Sequence, residues 1–136
     1  MYMNERFGKE YKLCSQKVIA ELFKNGKAVR QYPFSVQFME QPVSGNQPFQ
    51  LVFSAPKRIF RRAHDRNRIK RLMRETFRKK KLILEEALGK YNKQLALFVI
   101  YTAKEELPLK TLMAKTEQLL EKITLELTDE KNQKQP

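Results

Sequence analysis

The sequence predicts an α+β sandwich, a single sheet with helices packed on it. Three observations predict it. Apolar residues recur at helical spacing near both ends of the chain and again in a long central segment. Between them lie short runs of strand length, one alternating and one continuously apolar. The elements follow in the order α-β-β-α-β-α, with room for a further short strand around residues 26–34. No repeat and no second composition regime breaks that order. Residues 1–127 therefore read as a single domain, and residues 128–136 (TDEKNQKQP) as a polar C-terminal tail that frays.

The first helix is expected over residues 15–24. Val18, Ile19, Leu22 and Phe23 fall at i, i+1, i+4 and i+5 on one stripe, Ser15 suits the N-cap, and Asn25 with Gly26 suits the stop. Residues 34–38 (FSVQF) alternate apolar and polar, the pattern of a half-buried strand. Residues 41–48 (QPVSGNQP) are turn chemistry and predict a hairpin connection to a partner strand over residues 49–55, which Pro56 ends. A helix over residues 65–89 follows from Ile69, Leu72, Met73, Thr76 and Phe77 at i, i+3, i+4, i+7 and i+8. Leu95–Tyr101 (LALFVIY) has no polar residue, as a strand buried on both faces requires. The last helix, residues 109–127, carries Leu109, Leu112, Met113, Leu120 and Ile123 on one stripe, with Pro108 suited to its first turn.

At 136 residues with 41% apolar content the chain is long enough to bury a core and too apolar for a disordered basic tail. Cys14 is the only cysteine and His64 the only histidine, which excludes an intrachain disulfide and a Cys/His metal site. The first residues carry charges throughout, with no apolar core of a signal peptide, and the longest apolar run is too short to span a bilayer. The expectation is a cytoplasmic protein with no membrane partner.

Charge is the sharpest signal. Residues 57–81 hold thirteen Lys and Arg against Asp65 and Glu75, a net of +11 in a chain whose total is +13. Solubility is served by mixed signs spread over the surface, so such a concentration points to a polyanionic partner, above all nucleic acid. On a helical wheel Asn67, Arg71, Arg74 and Arg78 lie opposite the apolar stripe, with Arg68 and Lys70 flanking. Arginine grips phosphate through a planar fork. Glu75 stands four residues after Arg71 and three before Arg78, in reach of both. A charged face can be merely solvated. Here like charges stack at i, i+3 and i+4, each pair destabilising a free helix by roughly 0.2–0.5 kcal/mol, which favours a binding role.

The run from Arg66 to Arg78, RNRIKRLMRETFR, resembles the RNR signature of the protein subunit of bacterial ribonuclease P, R-N-R-x-K-R-x-x-R-E-x-[FY]-R, at every fixed position. Its flanks agree. Phe53-Ser54-Ala55-Pro56-Lys57-Arg58 is similar to the strand and turn that lead into the signature, and Lys12-Leu13, Leu22-Phe23 and Gly26-Lys27 are similar to the family's N-terminal helix pattern. The resemblance covers roughly residues 11–127. It implies an αβββαβα sandwich with one mostly antiparallel sheet and a βαβ crossover that carries the RNR helix. It also implies a division of labour. A large RNA, working with Mg²⁺ bound mainly by that RNA and the substrate, removes the 5′ leader of precursor tRNA. The protein is the non-catalytic subunit of this endoribonuclease, a monomer in a 1:1 complex with ribonuclease P RNA. RNA-binding residues would be Lys57, Arg58, Arg62, Arg66, Asn67, Arg68, Lys70, Arg71, Arg74 and Arg78. The leader would lie in a cleft between the first helix and the sheet, lined by Lys12, Phe23, Phe34, Val36 and Phe38.

No residues are expected to be catalytic and none to bind metal. Glu85-Glu86 and Glu105-Glu106 are adjacent pairs that read as solvated surface, and His64 has only Asp65 beside it. The alternatives are a structural RNA-binding protein of ribosomal type, a DNA-binding regulator and a protein-only nuclease. The contiguous signature weighs against the first. Strands on both sides of the basic helix weigh against the second.

Overall fold

A computed structural model describes residues 11–42 and 47–133. Seven elements follow one another: α1 (Gln16–Asn25), β1 (Lys27–Gln31), β2 (Phe34–Glu40), β3 (Phe49–Ser54), α2 (Ala63–Tyr91), β4 (Leu95–Tyr101) and α3 (Leu109–Gln133). The αβββαβα order is the one the resemblance implied. The sheet order is β1-β2-β4-β3. β2 pairs antiparallel with both β1 and β4, and β3 pairs parallel with β4. β3-α2-β4 is therefore a βαβ crossover, and it carries the basic segment.

The expected hairpin between residues 34–38 and 49–55 does not form. β4 sits between those two strands. The physical reason is its composition: a strand without one polar residue gains most by taking neighbours on both edges and cover on both faces. The hairpin that does form joins β1 to β2, with Gln31 opposite Phe34 across a turn whose Tyr32–Pro33 bond is cis. The central turn residues of 41–48, residues 43–46, lie outside the described residues.

Helix ends follow from capping. Ser15 Oγ accepts from the Val18 N–H at 3.2 Å and opens α1. Gly26 closes it by donating to the Leu22 carbonyl at 2.9 Å. A Cβ there would stand 2.4 Å from that same oxygen, so the close approach requires glycine. α2 extends two residues beyond expectation at each end and stops at Asn92, whose left-handed φ of 53° turns its N–H back onto the Gly89 and Leu88 carbonyls. α3 continues to Gln133, six residues into the stretch expected to fray.

Alternation sorts the strand side chains into two layers. Phe34, Val36, Phe38, Leu51, Phe53, Leu97 and Val99 join Ile69, Met73 and Phe77 of α2 and Leu112, Leu120 and Ile123 of α3 in the main core. α1 covers part of the opposite face, where Leu13, Leu22 and Ala96 form a second cluster with Val18, Ile19, Met39, Val52 and Phe98. Phe77 anchors α2, its ring meeting Phe34 at 5.7 Å and Phe53 at 5.2 Å, both edge-on. Between the helices, the buried Thr116 hydroxyl donates to Thr76 Oγ1 at 2.9 Å, and Thr76 donates to the Met73 carbonyl. No helix among the described residues is long and apolar enough to cross a membrane.

Burial grades the helix face. Phe77 is 2% exposed, whereas Leu72 lies only partly buried at the core margin. Phe77→Ala should cost about 3–5 kcal/mol in urea denaturation, and Leu72→Ala less than about 2 kcal/mol. Equal losses would contradict this placement.

Candidate nucleic-acid interface

α2 divides its two faces as the wheel predicts. Ile69, Met73, Thr76 and Phe77 are buried, while Asn67, Arg68, Arg71 and Arg74 are exposed and Lys70 and Arg78 half-buried. The basic face from Arg66 to Arg78 runs about 18 Å along α2, so it forms a ridge along the helix. Lys57 and Arg58 stand exposed in the turn that leads to it, where the Ile59 and Phe60 N–H groups donate to the Pro56 carbonyl. Arg62 occupies the N-cap of α2 with no side-chain cap bond. Arg66 is used differently from its neighbours. Its Nη1 donates to the Phe60 and Arg61 carbonyls, both at 2.9 Å, and ties the turn to the helix.

Not every cation on the ridge has the same freedom. Arg68 makes a bidentate pair with Glu106, Nε to Oε1 at 2.5 Å and Nη2 to Oε2 at 3.2 Å. Arg78 donates to Glu75 at 2.5 Å, and Lys80 to Glu117 of α3 at 2.9 Å. Arg71 and Arg74 make no ion pair among the described residues. Lys81 departs from its expected place in the exposed basic field. It is 3% exposed, its Nζ 4.6 Å from the centre of the Tyr11 ring and 4.0 Å from Glu85. Tyr11 donates to Glu85 at 2.7 Å. Glu85 and Glu106 thus pair with specific groups instead of being merely solvated. His64 lies 3.2 Å from Asp65 on the surface. Among the described residues no three His, Cys, Asp or Glu side chains converge as a metal site would require.

The second expected surface is corrected by strand parity. Phe34, Val36 and Phe38 are 1, 0 and 2% exposed and point into the main core beneath α2 and α3, so they cannot line a cleft beside α1. The α1 side of the sheet carries the alternate residues. Register places Ser35, Ile100 and Ser54 in one row and Gln37, Phe98 and Val52 in the next, all half-buried. Phe23 of α1, 51% exposed, meets Phe98 edge-on at 4.7 Å. Beside them the buried Gln37 Oε1 has no hydrogen-bond partner among the described residues. Lys12 is exposed, its backbone bridged to Leu51 of β3, one of the two edge strands of the sheet. Phe98 is not marked in the sequence because β4 does not alternate, and Phe34, Val36 and Phe38 belong to the more apolar parity of β2, which is the core's.

An αβββαβα sandwich that presents an arginine ridge from a βαβ crossover is an α+β domain with one concentrated cationic face. The family model described as Ribonuclease P matches residues 7–124, and the chain belongs to that family. The ribonuclease P protein component of Chlorobaculum tepidum is 44% identical over 63 residues, a stretch that spans 43% of this chain and 41% of that relative. The ribonuclease P protein of Thermotoga maritima superposes with a TM-score of 0.65 at 25% identity, covering 82% of this chain and 96% of that one. That of Staphylococcus aureus shares the fold with a TM-score of 0.61 at 22% identity, covering 83% and 94%.

The Arg68 hydrogen bond and charge hold the Glu106 carboxyl below the usual carboxylate range, and Glu106 in turn raises Arg68. Arg78 depresses Glu75 in the same way. A carboxylate depressed on folding stabilises the fold above the pH where a free glutamate ionises, and that contribution is lost as pH falls through the lower, folded value. In side-chain carboxyl NMR, Glu106 should titrate below a free glutamate, and Arg68→Ala should abolish the depression. A normal Glu106 titration in the unmodified chain would mean that the pair does not persist in solution.

Proposed function

We propose that this chain is the protein subunit of ribonuclease P. It binds the catalytic RNA along the outward face of α2 and the 5′ leader of precursor tRNA between α1 and the sheet, assisting Mg²⁺-dependent removal of the leader. The observation that carries the reading is the Arg66–Arg78 run. Ile69, Met73 and Phe77 of the run are buried while Arg68, Arg71 and Arg74 are exposed, on a chain of this family. Arg71 and Arg74 contribute most, being exposed and without a carboxylate partner among the described residues. The chemistry rests with the RNA, which together with the substrate phosphates holds the metal.

The leader reading rests on Phe23 and Phe98. Aromatic faces stack single-stranded bases without sequence preference. Lys12, Lys57 and Arg58 supply charge for the backbone of such a strand.

The deciding experiment mixes the purified chain with ribonuclease P RNA and precursor tRNA at low Mg²⁺. Leader removal should appear that neither the chain nor the RNA supports alone. The double variant Arg71→Ala, Arg74→Ala should lose this activity while remaining folded. It should also flatten the dependence of log K on log salt by about one to two units from a slope of roughly −3 to −5. Cleavage by the protein without RNA, or an unaffected double variant, would refute this assignment.

Phe23→Ala separates the two surfaces. Holoenzyme carrying it should bind precursor tRNA about 1–3 kcal/mol more weakly while its affinity for mature tRNA, which has no leader, stays the same. Equal weakening of both substrates would remove Phe23 from the leader path.

A further inference from the structure

Two carboxylates from other elements pair with cations of α2. Glu117 of α3 takes Lys80, and Glu106 takes Arg68 inside the signature itself. The second contact is held from both sides. The loop that bears Glu106 is pinned by Tyr101, the buried last residue of β4. Its hydroxyl donates to the Glu105 carbonyl at 2.7 Å and accepts from the Leu107 N–H at 3.0 Å, fixing the backbone on either side of Glu106. Opposite, the carboxylate occupies the Nε–Nη2 edge of the Arg68 guanidinium. A guanidinium carries five N–H groups in a rigid plane, so a carboxylate on that edge leaves the Nη1 and remaining Nη2 donors available. The Arg68 side chain is 65% exposed, so a phosphate can reach those donors while Glu106 stays in place.

We propose that Glu106 is a positioning residue of the RNA interface, holding the Arg68 guanidinium so that its open edge meets an RNA phosphate. The proposal rests on the reading of α2 as the RNA-binding ridge. Its energetic basis is rotamer freedom. An unrestrained arginine loses that freedom when it grips a phosphate, whereas one already held loses little. Simple charge predicts the opposite sign, because deleting a carboxylate beside a polyanion strengthens attraction. The direction of the effect therefore distinguishes positioning from repulsion.

The test measures affinity of the full chain for a ribonuclease P RNA transcript at one fixed salt concentration. It compares Glu106→Gln, Arg68→Ala, their combination, and Arg71→Ala with Arg74→Ala. Glu106→Gln should weaken binding by about 3–10-fold. In the Arg68→Ala background the same substitution should no longer weaken binding. Tighter or unchanged binding by Glu106→Gln overturns the proposal. So does an equal loss in both backgrounds, the mark of a purely structural role. If Arg71→Ala with Arg74→Ala weakens binding and Glu106→Gln does not, the RNA-binding ridge stands and only the role of Glu106 falls. If the arginine pair is also without effect, the ridge reading itself falls.

Discussion

The arrangement depends on one strand too apolar to lie at the sheet's edge. β4 carries seven apolar residues and no polar one, and it takes a central position between β2 and β3. Parallel pairing with β3 follows, and a parallel neighbour demands a crossover connection. α2 is that connection. Its position over the main core is thus set by hydrophobic burial in the sheet before any of its charges are considered. Phe77, wedged between Phe34 and Phe53, fixes which side of the helix faces inward, and the arginine row faces outward as a result.

Electrostatics then modifies what burial has placed. A helix with this density of like charge is self-repelling, and the fold answers with carboxylates from three places: Glu75 within the helix, Glu117 on α3 and Glu106 on the loop after β4. These neutralise the flanks of the ridge and leave Arg71 and Arg74 as its uncompensated centre. Arg66 and Lys81 are drawn into structural work, one clasping the turn before the helix and the other buried against Tyr11. Net charge alone overstates how many cations are available to a partner.

Much of this was legible in the sequence because the periodicities are strong. The split faces of α2, the span of β4 and the serine cap of α1 all follow from local spacing and are found as expected. Three features were not legible, each for a physical reason. The neighbour of β3 is settled by competition among strands for burial, which a turn-like linker cannot reveal. The residues on the α1 side of the sheet depend on which parity of β2 faces the larger helix layer, and Phe34, Val36 and Phe38 belong to the parity that the core claims. The Arg68–Glu106 pair joins residues 38 apart through loop geometry that no spacing rule encodes.

The placement of β4 also bears on how the chain comes off the ribosome. The strand at the centre of the sheet is the last strand to be made. The β1–β2 hairpin can close from local residues, but one edge of β2 and the whole of β3 then wait for a partner that is synthesised only after the entire 29-residue α2. Contacts of such sequence separation close slowly, and unpaired strand edges invite intermolecular pairing in the meantime. During that interval the growing chain already exposes its cationic segment, so a polyanion present early meets the charges before the sheet that orients them exists.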